Sequence, residues 1–516
     1  MANLPCEEGV IRGAALAPAQ TRSGVWVLAA TILGSSMVFI DGTVVNVALP
    51  ALQTALNATG TDGQWGVEAY ALFLAALLLV GGSLGDLYGR RKVFVIGVML
   101  FAGASAGCGF APDIRMLIVA RALQGVGGAL LVPGSLALIS SSFCAEERGR
   151  AIGTWSGFTA MTMALGPVLG GWLIEHLSWR WVFFINLPLA VLVVVISLAR
   201  VPESRDEEMV QRLDGWGAAL ATVGLCGITF ALIEAGRDGK RALIAGVAGV
   251  AALVCFFVVE SRSDAPMLPL DLFRSRSFSG ANLMTLFLYG ALGGALFFLP
   301  LDLIQVQHYT ATEAGAALLP LILLVFLLSR WSGGLIVKYG ARPPLIVGPL
   351  IAGVGFGLLT RGAAGGGPYW STVFPAVLVL GLGLAVSVAP LTTTVMSSID
   401  QSRAGVASGI NNAVSRVAGL LAIAVLGLVF ATAFNARLER GLDGLGLPAA
   451  ERRGVEAQRG KLAAATSEDV RVQRLIHESF VGAYSVVLWI AVGLSVCSAL
   501  SAAVLIEGRP EPRRAG

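Results

Sequence analysis

Asp41, in the stretch FIDGTVVNVALP (39–50), is an ionisable side chain inside an otherwise apolar run. A carboxyl group held away from water keeps its proton more tightly, and a cation brought beside it loosens that grip. Arg121, in RALQGVGGA (121–129), is the other deep charge of the first half. A pair that alternately met and parted would load and release a proton. A pair that never parted would simply tie two helices together, and the sequence leaves both readings open.

A second charged group lies in GGSLGDLYGRR (81–91), where Asp86, Arg90 and Arg91 crowd a turn containing Gly82 and Gly89. These charges could pair in one state and let go in another, forming a conformational latch. Alternatively, the basic residues merely fix which side of a membrane the loop occupies. In ALGPVLGGWL (164–173), Gly166, Gly170 and Gly171 form a small-residue face interrupted by Pro167, suited to close helix packing. Amide, thioether and aromatic groups at Asn46, Gln124, Trp155, Met161, Met163, Asn282, Tyr289, Asn411 and Asn412 are candidates for lining a loosely selective cavity, although each could equally pack or face lipid. Arg416 either lines that cavity or neutralises a carboxylate or helix end.

Other chemistry is missing. Six cysteines are scattered without a C-x-x-C pair, and three isolated histidines form no cluster, so neither a metal nor a cofactor is expected. The G-x-G fragments at Gly107, Gly125, Gly353 and Gly381 follow no soluble strand, and there is no phosphate-binding G-x-x-x-x-G-K-[ST] loop. A net charge of +4 spread over loops and tails argues against nucleic acid. Nothing resembles a clustered nucleophile and base, so an enzyme is not expected.

The elements that must position these residues follow from composition. Hydrophobic residues make up 56% of the 516 and charged ones only 13%, against roughly 25% charged in soluble domains. Apolar windows of about 20 residues recur, long enough to cross a bilayer as helices. We read fourteen spans, beginning near residues 25, 66, 93, 116, 151, 181, 215, 242, 279, 314, 343, 371, 404 and 480. Asp41 then lies roughly 24 Å from one end of span 1, too deep to snorkel to water. Such a charge costs about 2.5 to 3.5 kcal/mol to insert and marks a functional candidate. Arg330 is expected to snorkel, while Glu234 and Asp302 fall at span ends where a wet interface would explain them.

Short even-numbered connections carry about 14 lysines and arginines against about 6 in the odd-numbered ones, which places both termini in the cytoplasm. The polar opening residues lack the order of a cleavable signal, so the first span is expected to serve as its own. The expected organisation is a cytoplasmic tail (1–22), a six-helix lobe (23–200), two inserted helices with their loops (201–275), a second six-helix lobe (276–506) and a short cytoplasmic tail (507–516). The long connection 435–479 would face outward as a solvated cap or lid with a short amphipathic helix. The lobes look related: matching Gly89 to Gly340 aligns GGSLGDLYGRR with SGGLIVKYGAR (332–342), and GVGGALLVPG (125–134) matches GLGLAVSVAP (381–390) at a similar offset. Repeated halves are how many secondary transporters are built.

These stretches together resemble the major facilitator superfamily, and within it the 14-helix drug/proton antiporters. DGTVVNVALP, GSLGDLYGRRK, RALQGVGGA and ALGPVLGGWL match the motifs of helix 1, the helix 2–3 loop, helix 4 and helix 5. WRWVFFINLP (179–188) and GVASGINNAVSRVAG (405–419) are similar too. The resemblance implies an all-helical, two-lobed fold, a latch at Asp86 and a leak-limiting seal at Gly166 to Gly171, while proton coupling by Asp41 and Arg121 rests on their burial and charge. The family often keeps an acidic residue in the second-half loop, where this chain has Val337, so its latch should rely on the first half.

The expectation is therefore a proton-coupled antiporter in a bacterial inner or plasma membrane, exporting an amphipathic, cationic or neutral compound by alternating access. Its partners would be that small molecule, protons and the bilayer. It would work as a monomer, with a periplasmic adaptor subunit left open. Export of an endogenous metabolite, antibiotic or lipid is the alternative, and a non-transporting membrane sensor is more remote for want of a soluble signalling domain.

Overall fold

The structure, a computed structural model, describes residues 20–507 apart from 144, 206–213, 264–265, 366, 400–403 and 446. The two tails beyond those limits, and the side chains of Arg330 and Val337, lie outside the described residues. Fourteen helices are long and apolar enough to cross a membrane. They are α1 Gly24–Ala55, α2 Gly60–Tyr88, α3 Arg90–Gly109, α4 Ile114–Ser142, α5 Ala151–His176, α6 Trp181–Arg200, α7 Gly215–Glu234, α8 Gly239–Arg262, α9 Arg276–Val306, α10 Ala311–Ser329, α11 Arg342–Arg361, α12 Val373–Ser397, α13 Val406–Leu445 and α14 Val470–Leu505.

Local chemistry sets several helix starts. Thr59 and Asp62 form a reciprocal capping box at α2, and Thr310 with Glu313 does the same at α10. Asp113 opens α4 by accepting from the Met116 amide at 2.9 Å. Each satisfies amides that the first helical turn would otherwise orphan.

The repeat in the sequence is a repeat of packing. A β-carbon at Gly125 would sit 2.5 Å from the Tyr70 carbonyl oxygen, and one at Gly127 would sit 2.6 Å from the Phe101 nitrogen, so α4 lies backbone-close on α2 and α3. In the second lobe Gly381 faces the Leu321 backbone at 2.7 Å and Gly383 the Ala352 nitrogen at 2.4 Å, bringing α12 onto α10 and α11. The G-x-G fragments are thus packing devices. Among the described residues the two glycines with positive φ are Gly89, at 107°, and Gly340, at 81°, the matched turn positions of the two halves. Only glycine takes such angles without a steric penalty.

The two ends of the bundle differ. One end, here the basic side, carries the turns at Gly89 and Gly340. The other, the cap side, carries the α13–α14 connection. That connection is shorter than expected from sequence, because helix continues to Leu445 and resumes at Val470. Within it, Ala449–Gln458 is the anticipated short helix. Leu462 then folds back so that its side chain lies against Gly60 at the start of α2. Asp302 is also a correction: expected in a wet interface, it is 1% exposed, in a π-helical turn where it accepts from Gln307 Nε2 at 2.7 Å. The turn tucks its carboxylate back into the protein instead of out to solvent.

The apolar core shows where the lobes meet. On the cap side, Val44, Ala48 and Leu52 of α1 belong to one cluster with Phe297 and Phe298 of α9 and Phe430 of α13. Toward the basic side, Val27 and Ala30 of α1, Phe94 of α3 and Ile139 of α4 form a separate first-lobe cluster. The lobes share a core cluster on the cap side.

Candidate functional site

Asp41 and Arg121 meet. Both are buried, at 0% and 1% exposure, and Arg121 Nη1 donates directly to Asp41 Oδ2. The other Asp41 oxygen accepts from Gln124 Nε2 at 2.7 Å and from Asn186 Nδ2 at 3.4 Å. Arg121 also donates from Nε to the Gly66 carbonyl at 2.9 Å and from Nη1 to Gln124 Oε1 at 2.8 Å. Its guanidinium stands 4.3 Å over the Tyr70 ring, whose hydroxyl donates to the Val38 carbonyl. Helices α1, α2, α4 and α6 thus converge on one ion pair within the first lobe. A buried pair survives only with its remaining donors and acceptors satisfied, and this one is densely supplied.

This arrangement relocates two of the expected cavity residues. Gln124 is fully buried as a partner of both charges, because its position three residues after Arg121 puts both on one helix face. Trp155, 8% exposed, is in the first-lobe core with its indole donating to Ser35 Oγ at 3.1 Å. In the second lobe Asn411 Nδ2 donates to Asn282 Oδ1 at 3.1 Å and to Thr285 Oγ1 at 2.7 Å, tying α13 to α9. Met161 and Met163 are exposed on α5, Asn412 is exposed on α13, and Asn46 and Tyr289 are partly buried. The structure does not bring this set together around one spot.

The charges at the α2–α3 turn form a first-lobe cluster. Asp86 accepts from Arg90 Nε at 2.8 Å, and Arg91 Nη1 donates to the Val201 carbonyl at 3.1 Å. Glu203 completes the group, accepting from the amides of Arg91 and Lys92 at 2.9 and 3.2 Å, so its carboxylate caps the positive end of α3. Gly82 and Gly89 flank this turn, where a β-carbon at Gly89 would meet the Glu203 carboxylate at 3.0 Å. Glu203 was not singled out from sequence, since it follows α6 and reaches α3 only through the fold.

The helix 5 glycines sit at contacts between helices on the cap side. Gly166 and Gly170 lie against Thr43 and Val44 of α1. A β-carbon at Gly171 would be 2.3 Å from the Ala311 carbonyl oxygen, and one at Gly315 of α10 would be 2.2 Å from that of Pro167. Across the same seam Thr312 Oγ1 donates to Glu175 at 2.6 Å, Gln305 Nε2 to Gln53 at 2.9 Å, and Gln64 Nε2 to the Ile423 carbonyl at 3.0 Å.

One residue escaped the sequence reading altogether. Glu68 of α2 is 0% exposed, and neither carboxyl oxygen has a hydrogen-bond partner among the described residues. It lies on the helix face of Gln64 and Leu72, one turn from each. That face meets α13 and the inserted helix α7 through Ile423, Leu420 and Leu225. The available signal was an acidic residue in GVEAYALFL, but a span placed at residue 66 leaves Glu68 at its end. The capping box actually starts α2 at Gly60, two turns earlier.

A two-lobed bundle of fourteen spans with a buried ion pair in one lobe fits a known family, and the Major Facilitator Superfamily model matches residues 31–423. The chain belongs to the major facilitator superfamily. It is therefore a multi-pass bacterial membrane transporter and not an enzyme. The transporter is 36% identical to the multidrug resistance protein Stp of Mycobacterium tuberculosis over 82% of this chain and 79% of that one. It is 36% identical to the tetracenomycin C resistance and export protein of Streptomyces glaucescens, covering 78% and 76%. The puromycin resistance protein of Streptomyces alboniger is 34% identical over 94% and 92%. Among solved structures, a bacterial homologue of the human lysosomal transporter Spinster in an inward-facing conformation matches with a TM-score of 0.67 at 16% identity, covering 95% of this transporter and 98% of that chain.

Proposed function

We propose that this transporter is a proton-coupled antiporter that exports amphipathic compounds by alternating access, with Asp41 and Arg121 as a coupling pair and Glu68 as a second proton-carrying group. The observation that carries the reading is two fully buried mid-span carboxyl groups in opposite surroundings. Asp41 is held by a cation and two amides, whereas Glu68 has no partner. Titratable groups whose environments diverge are the usual mark of an acid–base device. An uncompensated carboxylate is costly to bury, so the seam between α2 and α13 closes readily only when Glu68 carries a proton. Opening the cap side would break the Gln64 to Ile423 bond and wet that face. Proton binding from the cap side then favours closure there and opening toward the basic side, and the exchange would be completed when a proton leaves toward the basic side by way of the Asp41–Arg121 pair.

By the excess of basic residues the basic side is the cytoplasm, and the state described is the one that would collect solute from inside. Asp86, Arg90, Arg91 and Glu203 would form the latch, held within the first lobe in this state and re-paired on closure of the basic side. Gly166 to Gly171 would seal the cap side against leak. The relatives named for drug resistance and antibiotic export support an efflux direction. One elementary charge moving through 100 mV supplies about 2.3 kcal/mol, roughly a 50-fold gradient of a neutral solute. Reconstituted carrier in vesicles with an imposed pH gradient tests the reading: uphill dye movement should follow the gradient and collapse with a protonophore. Uphill movement that ignores the gradient would defeat it.

A further inference from the structure

We infer that the solute this transporter binds at mid-membrane is an anionic, planar amphipath, received by Arg416; this deepens the efflux reading and rests on it. Deep within the spans stand Asp41, Glu68, Arg121 and Arg416. Asp41 and Arg121 neutralise each other with no exposure. Glu68 is fully buried in the seam beside α7 and offers nothing to a bound solute. That leaves Arg416, which forms no ion pair or hydrogen bond among the described residues and is only partly buried.

Its direction is fixed by its neighbours. The guanidinium of this second-lobe residue lies 5.8 Å from the ring centroid of Phe39, on α1 of the first lobe, and within electrostatic reach of Tyr70 on α2. The guanidinium therefore reaches from the second lobe toward the first. Ser408 and the exposed Asn412 precede it at intervals of four residues, a polar stripe on one face of α13. Beside that stripe, Asn411 anchors α13 to Asn282 and Thr285 of α9.

An unpaired cation inside a span is costly and needs a partner. Beyond the Phe39 ring the fold offers it no anion among the described residues, so the solute supplies one. A carboxylate, phenolate or enolate oxygen satisfies the planar fork of a guanidinium better than any neutral acceptor. The Phe39 ring beside the fork favours a flat, conjugated body over an aliphatic one. A cationic solute, the expectation raised by sequence alone, would meet a like charge here and no free carboxylate.

The test uses two xanthene dyes of the same frame, the anion fluorescein and a cationic rhodamine ester. Binding to the whole carrier in lipid nanodiscs is measured by fluorescence anisotropy, with no proton gradient present. The wild type should bind fluorescein more tightly by about tenfold or more, the scale of one charge-assisted hydrogen bond. Arg416→Gln should abolish that preference, Arg416→Lys should keep part of it, and Arg416→Glu should reverse it. Equal or stronger binding of the rhodamine by the wild type overturns the inference without any variant. So does a folded Arg416→Gln carrier, checked by its melting temperature, whose fluorescein affinity stays within about twofold of wild type. Because this assay needs no transport, charge-dependent binding without pH-driven movement would sustain the inference while sinking the coupling reading. Coupled transport without the charge preference would do the reverse.

Discussion

At the scale of single residues, the buried pair and the bare carboxyl make opposite demands. Removing the cation of the pair should strand Asp41, so Arg121→Ala is expected to cost about 3 to 5 kcal/mol of stability, the scale of an uncompensated buried charge. Arg121→Lys keeps the charge but loses the fork that reaches Asp41, Gln124 and Gly66 at once, and should melt between that variant and the wild type. Thermal unfolding in detergent, followed by tryptophan fluorescence, measures both. Glu68→Gln should behave in the contrary way, because a neutral amide replaces a group that has no partner to lose. The variant should fold and melt within a few degrees of wild type, while substrate-driven proton exchange falls severalfold. A large loss of stability in Glu68→Gln would show that the carboxyl has a structural partner after all.

At the scale of elements, the seam between α5 and α10 has no room for side chains at Gly171 and Gly315, whose added β-carbons would fall 2.3 and 2.2 Å from carbonyl oxygens across it. Gly171→Val should therefore hold the cap side apart. Spin labels at Leu177 and Thr310 should report a longer mean distance in this variant than in the wild type, and an unchanged distance would show that the seam does not gate. Much of this level was readable in the sequence, for physical reasons. A bilayer forces helices of nearly fixed length, so composition alone located the spans, and small-residue runs such as GPVLGG announced close packing before any partner was known. What stayed hidden depended on which helices meet. Nothing along the chain says that Glu203 will cap α3, that Asn186 will reach Asp41, or that α7 will cover Glu68. Gln124 and Trp155 were misplaced for the same reason, since polar and aromatic types suit a cavity wall and a buried network equally well.

At the scale of the whole molecule, the lobes are joined on the cap side and the ion pair belongs to one of them, so rocking the lobes would move Glu68 between a closed seam and water without breaking the first-lobe core. Cysteines replacing Glu175 and Thr312, now linked by a 2.6 Å hydrogen bond, should form a disulfide that arrests transport and is reversed by reductant. Continued transport by the cross-linked carrier would mean that the cap side need not open. The central claim, that buried carboxyls couple solute export to proton entry, has one direct measurement. Proton movement on substrate addition is recorded in proteoliposomes containing wild type, Asp41→Asn, Glu68→Gln and the double variant, each normalised to folded carrier. The account predicts substrate-dependent proton movement in the wild type, a reduced amplitude in each single variant and none in the double variant, with substrate binding retained throughout. Full proton movement in the double variant would contradict it.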